Sequence, residues 1–216
     1  MSRQRTDAAK TADAADSREA WKKSRKDLLL VCLTILPFMI CTGIVYSVLS
    51  LYMNMIGLTK SQIGFLYTFG AVAGAAVSPF VGFLTDRVGR KRVLLSSMGL
   101  FSLVFFGYAL TKRYAVLFLV QAGEGVAWAA MGVAATALVA DRISAMHRGK
   151  AMGIYNMTWN LGWIIGPSLG GVLADHAGFH FMFFLCAGLT FLGLLFGVLC
   201  IPPAGGPGRN ERMTAS

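Results

Sequence analysis

Charge is scarce in this sequence, and acid is scarcest. Only 14% of the 216 residues are Asp, Glu, Lys or Arg, and ten are acidic. No glycine-rich phosphate loop occurs, and no C-x-x-C pair offers metal-ligand spacing. Histidine appears three times, at positions 147, 176 and 180, and none has a nucleophile and orienter to work with. No enzymatic chemistry and no cofactor are therefore expected. The four cysteines, Cys32, Cys41, Cys186 and Cys200, lie in apolar runs without pairing spacing and read as small buried or lipid-facing residues. What the chain lacks most is polar surface. It is 56% hydrophobic with a mean hydropathy of +0.61, more apolar than the surface of a soluble domain tolerates.

What is present in its place is a series of apolar runs of about 20 residues, each able to cross a hydrocarbon core of roughly 30 Å at about 1.5 Å per residue. Barrel strands would be half as long and alternating. The expected class is an all-α membrane protein with six transmembrane helices, at about 27–52, 62–84, 93–110, 114–140, 151–174 and 179–201. Residues 1–26 form a polar arm without helical apolar period, expected to be mobile, and residues 202–216 a Pro/Gly-rich tail. The first apolar run is too long for a signal peptide and has no small-residue cleavage site after it, so it reads as an uncleaved span.

The net charge of +10 would point to nucleic acid in a soluble protein. Here the basic residues lie between and outside the spans, so topology explains them and no nucleic-acid partner is expected. With the N-terminus inside, 17 Lys and Arg fall on the inner side and three, Lys60, Lys112 and Arg113, on the outer side. The positive-inside rule then places both termini in the cytoplasm of a multi-pass protein of the cell membrane. The basic end of the arm, Lys22, Lys23, Arg25 and Lys26, is placed to meet anionic lipid.

Inside the spans, polar residues are few enough to take one by one. Gly70, Gly74, Ser78 and Gly82 recur every four residues in span two, a small-residue stripe that admits a close partner helix. Span three has almost no polar residues and is expected to face lipid. Gln121, Glu124 and Trp128 share one face of span four. Glu124 is the only ionisable residue deep in any span, which makes it the candidate proton or cation site; the competing reading is a protonated, hydrogen-bonded packing residue. Asn156 and Asn160 in span five, near Tyr155, Trp159 and Trp163, either line a substrate cavity or hydrogen-bond a neighbouring helix. His176 and His180 read as interfacial.

Between spans two and three, Gly82-Phe-Leu-Thr-Asp86-Arg87-Val-Gly89-Arg90-Lys91-Arg92 packs five charges into seven residues. Its first eight residues are echoed by Gly171-Val-Leu-Ala-Asp175-His-Ala-Gly178, a G-x-L-x-D-x-x-G pattern displaced by 89 residues. An odd number of spans separates the copies, so two three-helix units of opposite direction are expected, the inverted-repeat plan of secondary transporters.

The first copy, with Gly82, Asp86, Arg87, Gly89, Arg90 and Lys91 all in place, resembles the loop signature of the major facilitator superfamily. Gly162-x-x-x-Gly166-Pro167-x-x-Gly170-Gly171 resembles that family's antiporter motif, and the likeness extends over about residues 28–201. It implies half of a twelve-helix transporter, driven by ion gradients and moving a small molecule by alternating access, with proton-coupled export as the leading mode. It further implies a gating cluster of Asp86, Arg87 and Arg90 with Asp141, held against the other half, and it implies that the small-residue faces of spans two and five meet that half. One departure stands out: where the family often has an Arg in span four, this chain has Gln121. Six spans are half of the usual number. The chain is therefore expected to be a fragment, a half that pairs with a second six-helix chain or with its own copy, or a non-transporting membrane interaction or sensor protein derived from the fold.

Overall fold

The computed structural model describes residues 2–143 and 145–201. The tail 202–216, with its two arginines, lies outside the described residues, as do the side chains of Lys22 and Lys23. The architecture is all-helical: α1 Ser2–Met55, α2 Lys60–Val88, α3 Arg90–Leu110, α4 Tyr114–Arg142, a short 3-10 turn Ala145–His147, and α5 Arg148–Cys200. All five α-helices are long and apolar enough to cross a membrane. In α1 the apolar segment is Arg25–Met55. The backbone of the polar arm continues this helix from Ser2, so its helicity comes from extension of the span and not from an apolar stripe of its own.

The last two expected spans appear as one element of 53 residues, about 80 Å if straight at ~1.5 Å per residue. It is broken at Gly178, whose φ of 80° and ψ of 160° are not helical, into arms 148–177 and 179–200. Gly89, which separates α2 from α3, has φ 102° and ψ 137°. These two glycines end the two copies of the G-x-L-x-D-x-x-G pattern, and both adopt a backbone conformation that only glycine enters without strain. Elsewhere, local chemistry sets the ends. Thr59 caps α2 with a reciprocal box: its hydroxyl accepts from the Gln62 N–H, and its own N–H donates to Gln62 Oε1 at 2.9 Å.

The core is aromatic and lies between α1, α3, α4 and the second arm of α5. Phe38 packs on Phe101 at 4.5 Å, and Phe183 contacts Tyr52 and Tyr108 at 5.0 and 5.8 Å. Lipid-facing α3 is thereby corrected. Leu94, Met98, Phe101, Phe105 and Tyr108 are wholly buried, and of its large apolar residues only Leu103, Phe106 and Leu110 are exposed. An apolar helix says nothing of which neighbours cover it, and here α4 and α5 do.

Two glycine seams join the other pairs. Gly70 and Gly74 of α2 lie on Gln121 and Gly125 of α4, and Gly162, Gly166 and Gly170 of α5 lie on Met39, Gly43 and Ile44 of α1. A Cβ on any of these glycines would run into facing backbone. The small-residue faces expected to await a second bundle are thus closed within the chain at these positions. Gly82 and Gly171 are different: nothing stands within 4 Å of where a Cβ would be. Large apolar residues on the remaining surface of α2 (Phe65, Phe69, Val72, Phe80, Phe83) and α5 (Ile164, Leu169, Val172) are exposed.

Candidate functional site

Glu124 sits about a third of the way along α4, which runs from Tyr114 to Arg142. It is 1% exposed, and Gln121, one turn before it, is 3% exposed. The helix spacing puts both on the face toward α3, where Tyr108 meets them. The Tyr108 hydroxyl oxygen lies 2.8 Å from Gln121 Oε1 and 2.5 Å from Glu124 Oε2, and Gln121 Nε2 donates to Glu124 Oε2 at 2.9 Å. These three contacts close a ring. Glu124 Oε1 is enclosed and has no hydrogen-bond partner.

One turn further along, Trp128 Nε1 donates to the Tyr46 hydroxyl of α1 at 2.7 Å. Tyr46 therefore still has its own hydrogen to give toward the Glu124 carboxyl, with which it interacts. Tyr67 of α2 is 3.0 Å from Ser50 of α1. Together Tyr46, Tyr67, Gly70, Gly74, Ser78, Gln121, Glu124 and Trp128 line a cleft of about 490 Å³ among α1, α2 and α4. It is an aromatic-walled space with one carboxyl group at its edge. Gly70 and Gly74 line it at the edge of their seam with α4.

The charged hairpin forms a second centre. Arg90, the first residue of α3, makes an ion pair with Asp141, in the last turn of α4, and its Nη1 donates to the Ala137 carbonyl at 3.5 Å. Each charge sits at the unfavourable end of its own helix dipole, a cation at an N-terminus and a carboxylate at a C-terminus. Bringing Arg90 to the end of α4 relieves both. Asp86 stands 3.9 Å from Arg90 with three-quarters of its side chain exposed. Arg87 does not join the pair; its guanidinium lies over the Phe83 ring at 4.5 Å. Lys91 turns the other way and donates to the Val198 and Ile201 carbonyls at 3.0 and 2.5 Å, capping the last turn of α5. Beside them, Arg142 reaches Asp27 of α1 at 3.5 Å.

The remaining candidates lie apart. Asn156 and Asn160 are exposed on α5 and line neither the cleft nor a helix-helix hydrogen bond among the described residues. Of the span-five motif, Gly162, Gly166 and Gly170 form the α1–α5 seam, Pro167 lies within the same helix, and Gly171 is open. His176 and His180 are four residues apart in sequence but fall on either side of the Gly178 break. His176 Nδ1 is 3.0 Å from the Val172 carbonyl, and the His180 ring meets Tyr52. No three potential metal ligands gather among the described residues. His147, for which the sequence suggests no neighbour, stacks on Trp21 at 5.1 Å, and Lys150 sits over the same ring at 4.7 Å. The tyrosines Tyr46, Tyr67 and Tyr108 are the functional candidates that sequence reading passes over. Their signal is a hydroxyl inside an otherwise apolar run, which has to find a partner.

The chain is 31% identical over 176 residues to the quinolone resistance protein NorA of Staphylococcus aureus strain Mu50, a match covering 82% of this chain and 44% of that protein. For NorA of strain MRSA252 the figure is 28% over the same length. It is 30% identical over 159 residues to multidrug resistance protein 2 of Bacillus subtilis strain 168, covering 74% of this chain and 40% of the relative. The chain thus spans less than half the length of the curated relatives it matches. The family model of the Major Facilitator Superfamily matches residues 31–215, and with it the chain belongs to that superfamily as a multi-pass membrane protein.

Proposed function

We propose that this chain is the N-terminal six-helix half of a proton-coupled exporter of apolar or cationic small molecules. The observation that carries the reading is the enclosed carboxyl of Glu124 at the edge of an aromatic cleft, in a chain of this family whose relatives bear resistance names. Aromatic walls take flat apolar or cationic molecules, and a carboxyl beside them exchanges a proton for the cargo's charge. Breaks at Gly89 and Gly178 in equivalent positions support six crossings arranged as two inverted three-helix units. The excess of Lys and Arg on one side supports cytoplasmic termini.

Alternating access in this reading is a rocking of the bundle against a second six-helix half or a second copy of the chain. The ion pair between Arg90 and Asp141, with exposed Asp86 beside it, is the latch on the cytoplasmic edge, and Asp86 is the member free to engage the partner. The basic arm contacts anionic lipid. The test is uptake of a quinolone and of a fluorescent lipophilic cation into vesicles, with the chain alone and co-expressed with a C-terminal half from a relative. Uptake that needs an imposed proton gradient, and loses that need in Glu124→Gln, is expected. Transport by neither preparation overturns the reading.

A further inference from the structure

The three contacts among Tyr108, Gln121 and Glu124 can be counted in hydrogens. Each needs one hydrogen on its line, because two oxygens at 2.8 Å or 2.5 Å without one repel each other. The amide of Gln121 contributes one hydrogen to the ring and the Tyr108 hydroxyl contributes one. If Glu124 were ionised there would be no third, and the single Tyr108 hydrogen cannot lie along two directions. Exchanging the oxygen and nitrogen of the Gln121 amide reverses the direction of the ring and leaves the deficit unchanged. The 2.5 Å contact alone is as short as a tyrosine-to-carboxylate bond; the count decides against that form.

The surroundings agree. The titratable groups facing the carboxyl are Tyr46 from α1, Tyr67 from α2 and Tyr108 from α3, all neutral hydroxyls. No Lys, Arg or His faces it among the described residues; Oε1 makes no hydrogen bond, and the Tyr46 hydroxyl is the neighbour with a hydrogen left to turn toward the carboxyl. A carboxylate there would have hydroxyl and amide donors but no cation to offset its charge.

We infer that Tyr108 and Gln121 are positioning residues that hold Glu124 as a carboxylic acid in a closed three-membered hydrogen-bond ring, and that release of the Glu124 proton opens the ring at Gln121. The acid hydrogen on Oε2 is given to the Tyr108 oxygen, Tyr108 gives its own to Gln121 Oε1, and the Gln121 amide donates back to Oε2. When the proton leaves, the Tyr108 hydrogen turns to the carboxylate and the Gln121 carbonyl loses its donor. Gln121 lies directly on Gly70, with side chain and carbonyl where a Cβ of that glycine would be. The unpaired side-chain carbonyl of Gln121 therefore acts on the α2–α4 seam, and a proton on α4 is read by the packing of α2. The inference deepens the export reading and rests on it for its role in transport; the protonation state stands independently.

Infrared difference spectra of the full chain in lipid vesicles test it. At neutral pH a carboxylic C=O band that disappears in Glu124→Gln is expected. Tyr108→Phe keeps the packing on Phe183 and removes the hydroxyl, and should move that band up; Gln121→Leu should displace it as well. The amide band of the same spectra reports whether each variant is folded. A Glu124 band that is carboxylate at neutral pH, or an acid band unmoved in folded Tyr108→Phe and Gln121→Leu, overturns the inference. The spectra need no transport, so failed uptake alongside the expected bands counts against the export reading alone.

Discussion

The α1–α5 seam and the α2–α4 seam are built alike and put to different use. Each brings glycines of one helix onto backbone of another, with no room for a Cβ between them. The α1–α5 seam lies on backbone of Met39, Gly43 and Ile44, and its one polar side chain, Ser47, is turned back onto the Ile44 carbonyl of its own helix. The α2–α4 seam has Gln121 in the equivalent place, next to Glu124, and opens at one side into the 490 Å³ cleft. Close packing in a membrane needs small residues because lipid offers no hydrophobic drive to association. Once the backbones are close, a polar side chain at the seam has little room to move without shifting its neighbour.

The largest effects should come from filling the seams. Gly125→Leu and Gly166→Leu each place a side chain into facing backbone and should cost about 3 kcal/mol or more of stability, read as loss of the folded peak in detergent melting. Gly82→Leu, further along the α2 stripe, and Gly171→Leu, next to the α5 stripe, are both in open space and should melt as the parent does. Equal losses at all four would break the distinction between seam and open stripe.

Smaller effects separate the two turns. Ala at Gly89 or at Gly178 is forced into a glycine-only conformation and should cost on the order of 1–3 kcal/mol, by the same melting measurement. If the turns are one device used twice, the two losses should match within error, although one turn is charged and the other apolar. The smallest effect is that of the latch. Asp141→Asn removes the partner of Arg90 at a half-exposed site and should change stability by about 1 kcal/mol or less. The charge exchange Arg90→Asp with Asp141→Arg should restore it, leaving any larger defect in uptake as the part due to gating.

Much of the fold is legible from the sequence because its signals are local. The ends of α2, α3 and α4 fall within a few residues of the expected spans, since Lys60, Arg90 and Arg142 cannot enter hydrocarbon without cost. Glu124 stands out for the same reason. Its partners do not: Tyr108 belongs to a different helix, and nothing in the run around it says which face will meet α4. The stripe of Gly70 and Gly74 announces a close neighbour without naming it, which is why a second bundle was expected where α4 stands. Arg87 and Lys91 look alike in the motif, yet one lies on Phe83 and the other caps α5, because the turn at Gly89 sends them in opposite directions.

Composition and periodicity by themselves determined that this chain is a bundle of membrane helices with one buried carboxyl, because the cost of placing polar groups in hydrocarbon is paid residue by residue. The burial of α3, the closing of both glycine seams and the ring of Tyr108, Gln121 and Glu124 were decided only by tertiary structure. They depend on which helix faces which, and each rests on contacts between residues far apart in the chain.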